Sequence, residues 1–122
     1  MVKFAEMDPT VSLASQMADE GGHVILINTF TVPPEDVDNL LEAWTNDAAV
    51  MKRQPGFIST QLHRGIAGSG TFLNYAVWQS TSHFRAAFNN PDFQAQLGAY
   101  PDSATASPHL FRKVEVHGIC VT

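Results

Sequence analysis

Cysteine is almost absent from this chain: Cys120 is the single one in 122 residues. One thiol cannot close a bridge within the chain, so a disulfide framework is excluded and the fold must rest on its apolar core. Basic residues are also few, with seven Lys and Arg against twelve Asp and Glu and a formal net charge of −5. They form no stripe, which argues against a nucleic acid partner, because phosphate recognition needs clustered positive charge. No apolar run approaches the roughly 20 residues that span a bilayer as a helix, so no membrane partner is expected. Residues 1–22 lack the basic start and apolar centre of a secretory leader, and with the lone cysteine this points to a cytoplasmic location. The five histidines are His23, His63, His83, His109 and His117. None is paired with another His, a Cys or an acid at metal-ligand spacing, so no metal is expected. The loop holding Gly65, Gly68 and Gly70 lacks the spacing and the Lys-Ser/Thr ending of a phosphate loop and reads as a hairpin connection.

An apolar share of 44% at this length suits a single domain with a real core. Residues 1–22 read as an arm outside that core, with a short helix over 10–17. The domain covers 23–117, and 118–122 is a tail. Residues 23–32 are β-branched and apolar, and predict a first strand ended by Pro33-Pro34. Val37, Leu40, Leu41, Trp44, Ala48 and Met51 recur at helical spacing, predicting a helix over 35–53. Acids stand at its start, Lys52 and Arg53 at its end, and Gln54-Pro55-Gly56 stops it. Strands are predicted over 57–64, 71–78 and 110–116. Between the last two lie a helix over 80–88, capped by Ser80, a shorter one over 92–100, and a loop over 101–108. The order strand, helix, strand, strand, helix, strand is the ferredoxin-like split βαβ arrangement of an α+β fold, with a four-stranded antiparallel sheet covered by helices on one face. Ile25, Ile27, Leu73 and Val77 on the other face need cover, and a second copy of the sheet supplies it, so a homodimer is expected.

The run Thr71-Phe72-Leu73-Asn74-Tyr75-Ala76-Val77-Trp78 carries the functional signal. Strand side chains alternate, so Asn74 and Trp78 share a face with only Ala76 between them. An amide and an indole around a small residue make a notch with a hydrogen-bonding wall and a flat apolar wall. Asn28, mid-strand in 23–32, is a second amide where strands disfavour one. The plain alternatives are an Asn bonded to neighbouring backbone and a Trp packed in the core. Trp44, Phe30, Phe72, Phe84 and Phe88 are core residues first and pocket lining second. His63, sharing a face with Phe57 and Gln61, and His109, in a loop after Pro108, are candidates to enter the pocket as bases. Cys120 has no partner for catalysis.

This order, with Gln54-Pro55-Gly56-Phe57 and Asn74-Tyr75-Ala76-Val77-Trp78 before a helix, resembles the antibiotic biosynthesis monooxygenase family over residues 23–117. The resemblance implies a dimeric α/β barrel. The chain looks like the cofactor-independent, quinone-forming monooxygenases of aromatic polyketide pathways. In those an Asn of the first strand and an Asn…Trp pair of the third line the active site. Carried over, the catalytic residues are Asn28, Asn74 and Trp78, the partners are an aromatic small molecule and O2, and no cofactor is used. The chain departs where some relatives have a Tyr in the second helix and this one has Phe84. Haem-degrading relatives carry a haem-ligating His after the third strand, where this chain has Phe93-Gln94-Ala95-Gln96-Leu97, so haem degradation is disfavoured. The alternatives on the same fold are a polyketide cyclase, which would use a His or Tyr acid/base, His63 or His109 above all, and a small-molecule binding protein without chemistry.

Overall fold

The structure is a computed structural model that describes residues 1–120. Its elements run β1 (Lys3–Phe4), α1 (Leu13–Gln16), β2 (Val24–Thr31), α2 (Val37–Lys52), β3 (Phe57–Arg64), β4 (Thr71–Trp78), α3 (Thr81–Phe88), α4 (Pro91–Gln96) and β5 (Thr105–Phe111). Short 3-10 turns, Pro34–Asp36 and Leu97–Ala99, precede α2 and follow α4. From β2 onward this is the expected split βαβ order of an α+β ferredoxin-like fold.

The sheet has five strands, in the order β1-β5-β2-β4-β3, where four were expected. β2 through β5 pair antiparallel, and β1 adds a parallel edge beside β5. The arm is therefore part of the fold. Val2 and Leu13 are buried in the core, and Gln16 completes the sheet edge. Leu110 N–H donates to Gln16 Oε1 at 3.0 Å, and Gln16 Nε2 donates to Leu110 O at 3.3 Å. One side-chain amide so satisfies an edge residue as a strand would.

The last strand also differs from expectation. It starts at Thr105, inside the expected loop, and ends at Phe111, while residues 112–115 are exposed and irregular. Pro108 made this stretch read as a loop, since proline cannot donate to a ladder. Leu110 turns its N–H to the outer edge. Pro108, two residues earlier, turns the same way, beyond the end of β1, so its missing donor interrupts no pairing. Near the C-terminus, Val116 and Cys120 form an isolated bridge. Val121 and Thr122 of the tail lie outside the described residues.

β3 carries a bulge between Phe57 and Ser59. A bulge inserts one residue and reverses the facing of everything beyond it. Phe57 stays on the helix-covered face, whereas Ser59, Gln61 and His63 turn to the other. Before it, Gly56 links α2 to β3 with φ +84°, and a Cβ there would collide with the His83 side chain. Only glycine meets both demands.

The helices cover one face and form two apolar clusters with it. One gathers Phe30, Leu40, Phe72, Phe93 and Tyr100 around α2 and α4. The other gathers Val24, Leu26, Trp78, Phe84 and Leu110 around α1 and α3. Met51 and Phe88 pack against both.

Candidate active site

Two small cavities lie on the helix-covered face, along the seam between these clusters, each of about 40 Å³. The first is bounded by Asn28, Asn74 and Trp78 from the sheet, Thr60 from β3, and Trp44 and Asp47 from α2. The second is bounded by Val2 and Phe4 from the arm, Phe84 and Phe88 from α3, and Tyr100. Asn28, Phe30, Asp47 and Met51 border both.

Strand register assembles the polar wall. Asn28 lies directly opposite Asn74 across the β2–β4 ladder. On β3, Thr60 sits beside Ala76 and donates its hydroxyl to Asn74 Oδ1 at 2.5 Å. That bond orients the carboxamide and leaves its NH2 group without a protein acceptor among the described residues. Trp78 is 1% exposed. Phe57 and Phe84 hold its ring edge-on, at centroid distances of 5.5 and 5.8 Å.

Two polar atoms of this wall have no partner: Asn28 Oδ1 and Trp78 Nε1 are fully buried and unbonded. Leaving a buried donor or acceptor unpaired costs about 1–3 kcal/mol, so such atoms are rare in a folded protein. Here an unpaired acceptor and an unpaired donor border one cavity, a geometry suited to a ligand carrying both a hydroxyl and a carbonyl or phenolate oxygen.

Asp47 is the residue that the sequence pattern concealed. It follows Trp44 by three positions and precedes Met51 by four, which puts a carboxylate on the apolar stripe of α2. Tyr100 O–H donates to Asp47 Oδ2 at 2.7 Å. Burial pushes the Asp47 carboxyl up to about 6, against a smaller lowering by that hydrogen bond. The Tyr100 hydroxyl is also raised, by burial and by the neighbouring carboxylate, and stays protonated. An acid on an otherwise apolar helix stripe was the available signal. Thr60 was missed for a different reason: the bulge places it on the pocket face.

Of the other expected lining residues, Phe30, Trp44, Phe84 and Phe88 border a cavity. Phe72 is buried in the core beneath the Arg64 guanidinium and borders neither. His63 needs correcting: past the bulge it is exposed on the opposite face, next to Leu73. His109 needs correcting too. It belongs to β5 rather than a loop, lies opposite Ile27, and accepts from Gln16 Nε2 at 2.7 Å, outside both cavities. Among the described residues no group of three or more His, Cys, Asp or Glu could hold a metal ion. The α3–α4 segment has one histidine, His83, whose Nδ1 is bonded to the Ser80 hydroxyl. It borders neither cavity, so these residues do not fit a haem ligated from that segment.

Residues 23–97 match the antibiotic biosynthesis monooxygenase family model. The chain is 32% identical to deoxynogalonate monooxygenase of Streptomyces nogalater over 96 residues, covering 77% of this chain and 76% of that one. Its likeness to tetracenomycin-F1 monooxygenase of Streptomyces glaucescens is 36% over 73 residues, covering 57% and 62%. A mycobilin-producing heme oxygenase of Mycobacterium tuberculosis is 29% identical over 75 residues, covering 62% and 71%. The crystal structure of SnoaB, a cofactor-independent oxygenase from Streptomyces nogalater, superposes with a TM-score of 0.68 at 27% identity, covering 80% of this chain and 99% of that one. The fold, the matched segment and these relatives agree: the chain belongs to the antibiotic biosynthesis monooxygenase family and is an enzyme of the monooxygenase class.

Proposed function

We propose that this protein is a cofactor-free monooxygenase that oxidises a polycyclic phenolic, anthrone-like compound to a quinone with O2. The observation that carries this is the pair of buried, unpaired atoms, Trp78 Nε1 and Asn28 Oδ1, bordering one cavity with Asn74. Such a substrate loses a proton to give a delocalised carbanion. The carbanion reduces O2 by one electron, the radical pair combines to a hydroperoxide, and loss of water leaves the quinone. The reacting electrons come from the substrate, so the protein's task is to bind, orient and stabilise charge. Trp78 N–H and the Asn74 NH2 donate to the oxygen that becomes phenolate, where preorganised donors act most strongly. Asn28 Oδ1 accepts from a substrate hydroxyl. Held edge-on between Phe57 and Phe84, Trp78 serves as a donor rather than as the flat apolar wall that the strand pattern suggests.

At about 40 Å³ each, the cavities fall far below the roughly 300–1,000 Å³ of pockets for drug-sized ligands. Binding a polycycle therefore requires the shared wall to move. Met51, unbranched and adaptable, is the side chain in that wall best able to do so. The relatives named for polyketide compounds support this substrate class. The cyclase alternative loses the two histidines it favoured, since His63 and His109 lie outside the cavities.

A homodimer belongs to the same proposal. Tyr75 is 40% exposed on the sheet face without helices, beside the half-buried Ile25, Ile27, Leu73 and Val77. A second copy laid on this face would bury that apolar surface.

The test is oxygen uptake by metal-free protein against a panel of anthrones and hydroquinones. Stoichiometric uptake with quinone formation is expected. No uptake with any member, or uptake that depends on added haem or flavin, would overturn the proposal.

A further inference from the structure

We propose that Asp47 is the base that removes the substrate's proton, with Tyr100 as the residue that positions it. This rests on the oxidation proposed above. The argument begins with placement. Asp47 borders both cavities, as do Asn28 and Met51, so a ligand that joins the two must pass its carboxylate. Tyr100 O–H fixes Oδ2, and Oδ1 carries no hydrogen bond among the described residues. The phenol is itself fixed: Tyr100 is 2% exposed and stacks on Phe30 at a centroid distance of 5.8 Å with the rings 8° apart. The carboxylate thus has one oxygen anchored and one available.

Its surroundings make it unusual. Among the described residues, Tyr100 is the only other titratable side chain around the two cavities, and no Lys, Arg or His borders either. The described ion pairs are Met1 with Asp102, Arg85 with Glu20 and Arg112 with Asp19, none near this site. A carboxylate in an apolar seam without a counterion costs stability, because desolvation disfavours its charged form. A structural role would be better served by a neutral amide. The same burial holds the carboxyl at about 6, close to the pH at which a general base works best.

The step balances without a further reactant. The substrate C–H bond breaks, its electron pair stays in the ring system as the enolate or phenolate, and the proton forms an O–H bond on Asp47 Oδ1. O2 is then reduced by the substrate anion. Radical recombination leaves a peroxide anion, which takes that proton from Asp47 to become the hydroperoxide. The regenerated carboxylate then removes the remaining hydrogen of the same carbon as a proton. The C–H electron pair forms the C=O bond as the O–O bond breaks, and the departing hydroxide takes this proton back from Asp47 and leaves as water.

The experiment mixes an anthrone with protein under anaerobic conditions and follows the absorbance of the deprotonated ring system against pH. Oxygen uptake is measured in parallel. The proteins are wild type, Asp47→Asn and Tyr100→Phe. Wild type should develop the anion band with an acid limb near 6, the value to which burial raises the carboxyl. Asp47→Asn, nearly isosteric and relieved of a buried charge, should stay folded and bind the anthrone. It should lose roughly 10²-fold or more in the rate of band formation and of uptake, the range of general-base catalysis. Raising the pH until the anthrone ionises in solution should restore most of that uptake. Tyr100→Phe removes the hydrogen bond that both lowers the carboxyl and fixes Oδ2. Its acid limb should therefore move to higher pH and its plateau rate should fall, though less than in Asp47→Asn; an unmoved limb with a wild-type plateau would overturn the positioning role. An Asp47→Asn protein with wild-type band formation and an unchanged pH profile would overturn the assignment, even if wild type oxidises the substrate. A wild-type protein that forms the anion but consumes no oxygen would instead overturn the oxidation and leave Asp47 as a base.

Discussion

On the helix-covered face of the sheet, Val24, Leu26, Phe30, Phe72, Ala76 and Trp78 are buried. On the other face of the same strands, Tyr75 is exposed and Ile25, Ile27, Leu73 and Val77 are only partly covered. The first face has its apolar surface satisfied within the chain but leaves polar atoms unpaired at Asn28 and Trp78. The second has apolar surface without a partner, and its one buried unpaired polar atom among the described residues, His109 Nδ1 opposite Ile27, borders neither cavity. Hydrophobic burial is the dominant stabilising force, so the covered face can tolerate unpaired atoms costing a few kcal/mol. Unpaired polar atoms on a well-packed face ask for a small ligand. Apolar area on an open face asks for a second protein surface.

The largest effect expected from breaking this contrast is at Trp78. Trp78→Phe keeps a ring between Phe57 and Phe84 but removes the N–H. Turnover should fall by roughly 10²–10³-fold, as when one preorganised donor is lost, while far-UV circular dichroism stays unchanged. Unchanged turnover would remove that donor from the mechanism.

The next effect is on stability and has a defined sign. The Asp47 carboxyl is raised from 3.8 to about 6 in the native state. The folded protein therefore binds this proton more tightly than the unfolded chain, and stability falls as pH rises through that window. Above it, the uncompensated carboxylate costs up to about 3 kcal/mol. Denaturant melts should show Asp47→Asn more stable than wild type at neutral pH by up to that amount, with the gap closing as pH falls below about 4. A gap independent of pH would mean that Asp47 is not the raised group.

The smallest effect on the fold is expected from the open face. Tyr75→Glu should change the stability of the single domain by less than about 0.5 kcal/mol, as surface changes usually do. It should shift a dimer toward monomer in sedimentation equilibrium by placing charge in an apolar contact. A variant as dimeric as wild type would mean that this face is not the interface.

Much of this was legible in the sequence, and the exceptions share a physical cause. Alternation along 71–78 placed Asn74 and Trp78 together, and Asn28 stood out as an amide within an apolar strand. Alternation failed for His63 because one bulged residue at Ile58 reverses every side chain after it, and no turn residue announces the bulge. Helical spacing found Trp44, Ala48 and Met51 but passed over Asp47, because a search for apolar periodicity skips a charged residue on the stripe. Pro108 hid β5, since whether a proline breaks a strand depends on which edge its nitrogen faces. The arm's place in the fold rests on β1 pairing beside β5 and on Gln16 matching the backbone of Leu110, 94 residues away, contacts that no local pattern encodes.

The central claim is that the unpaired atoms on the covered face are a ligand's hydrogen-bonding partners. The most direct measurement is the indole N–H resonance of Trp78, followed by two-dimensional ¹H–¹⁵N NMR during titration with a redox-inert polycyclic phenol. Trp44→Phe protein provides the assignment. The account predicts a large downfield shift of the Trp78 N–H as it gains an acceptor, with smaller shifts at the Asn28 and Asn74 side-chain amides. Saturable binding that leaves those signals unmoved and shifts the open face around Tyr75 instead would contradict it.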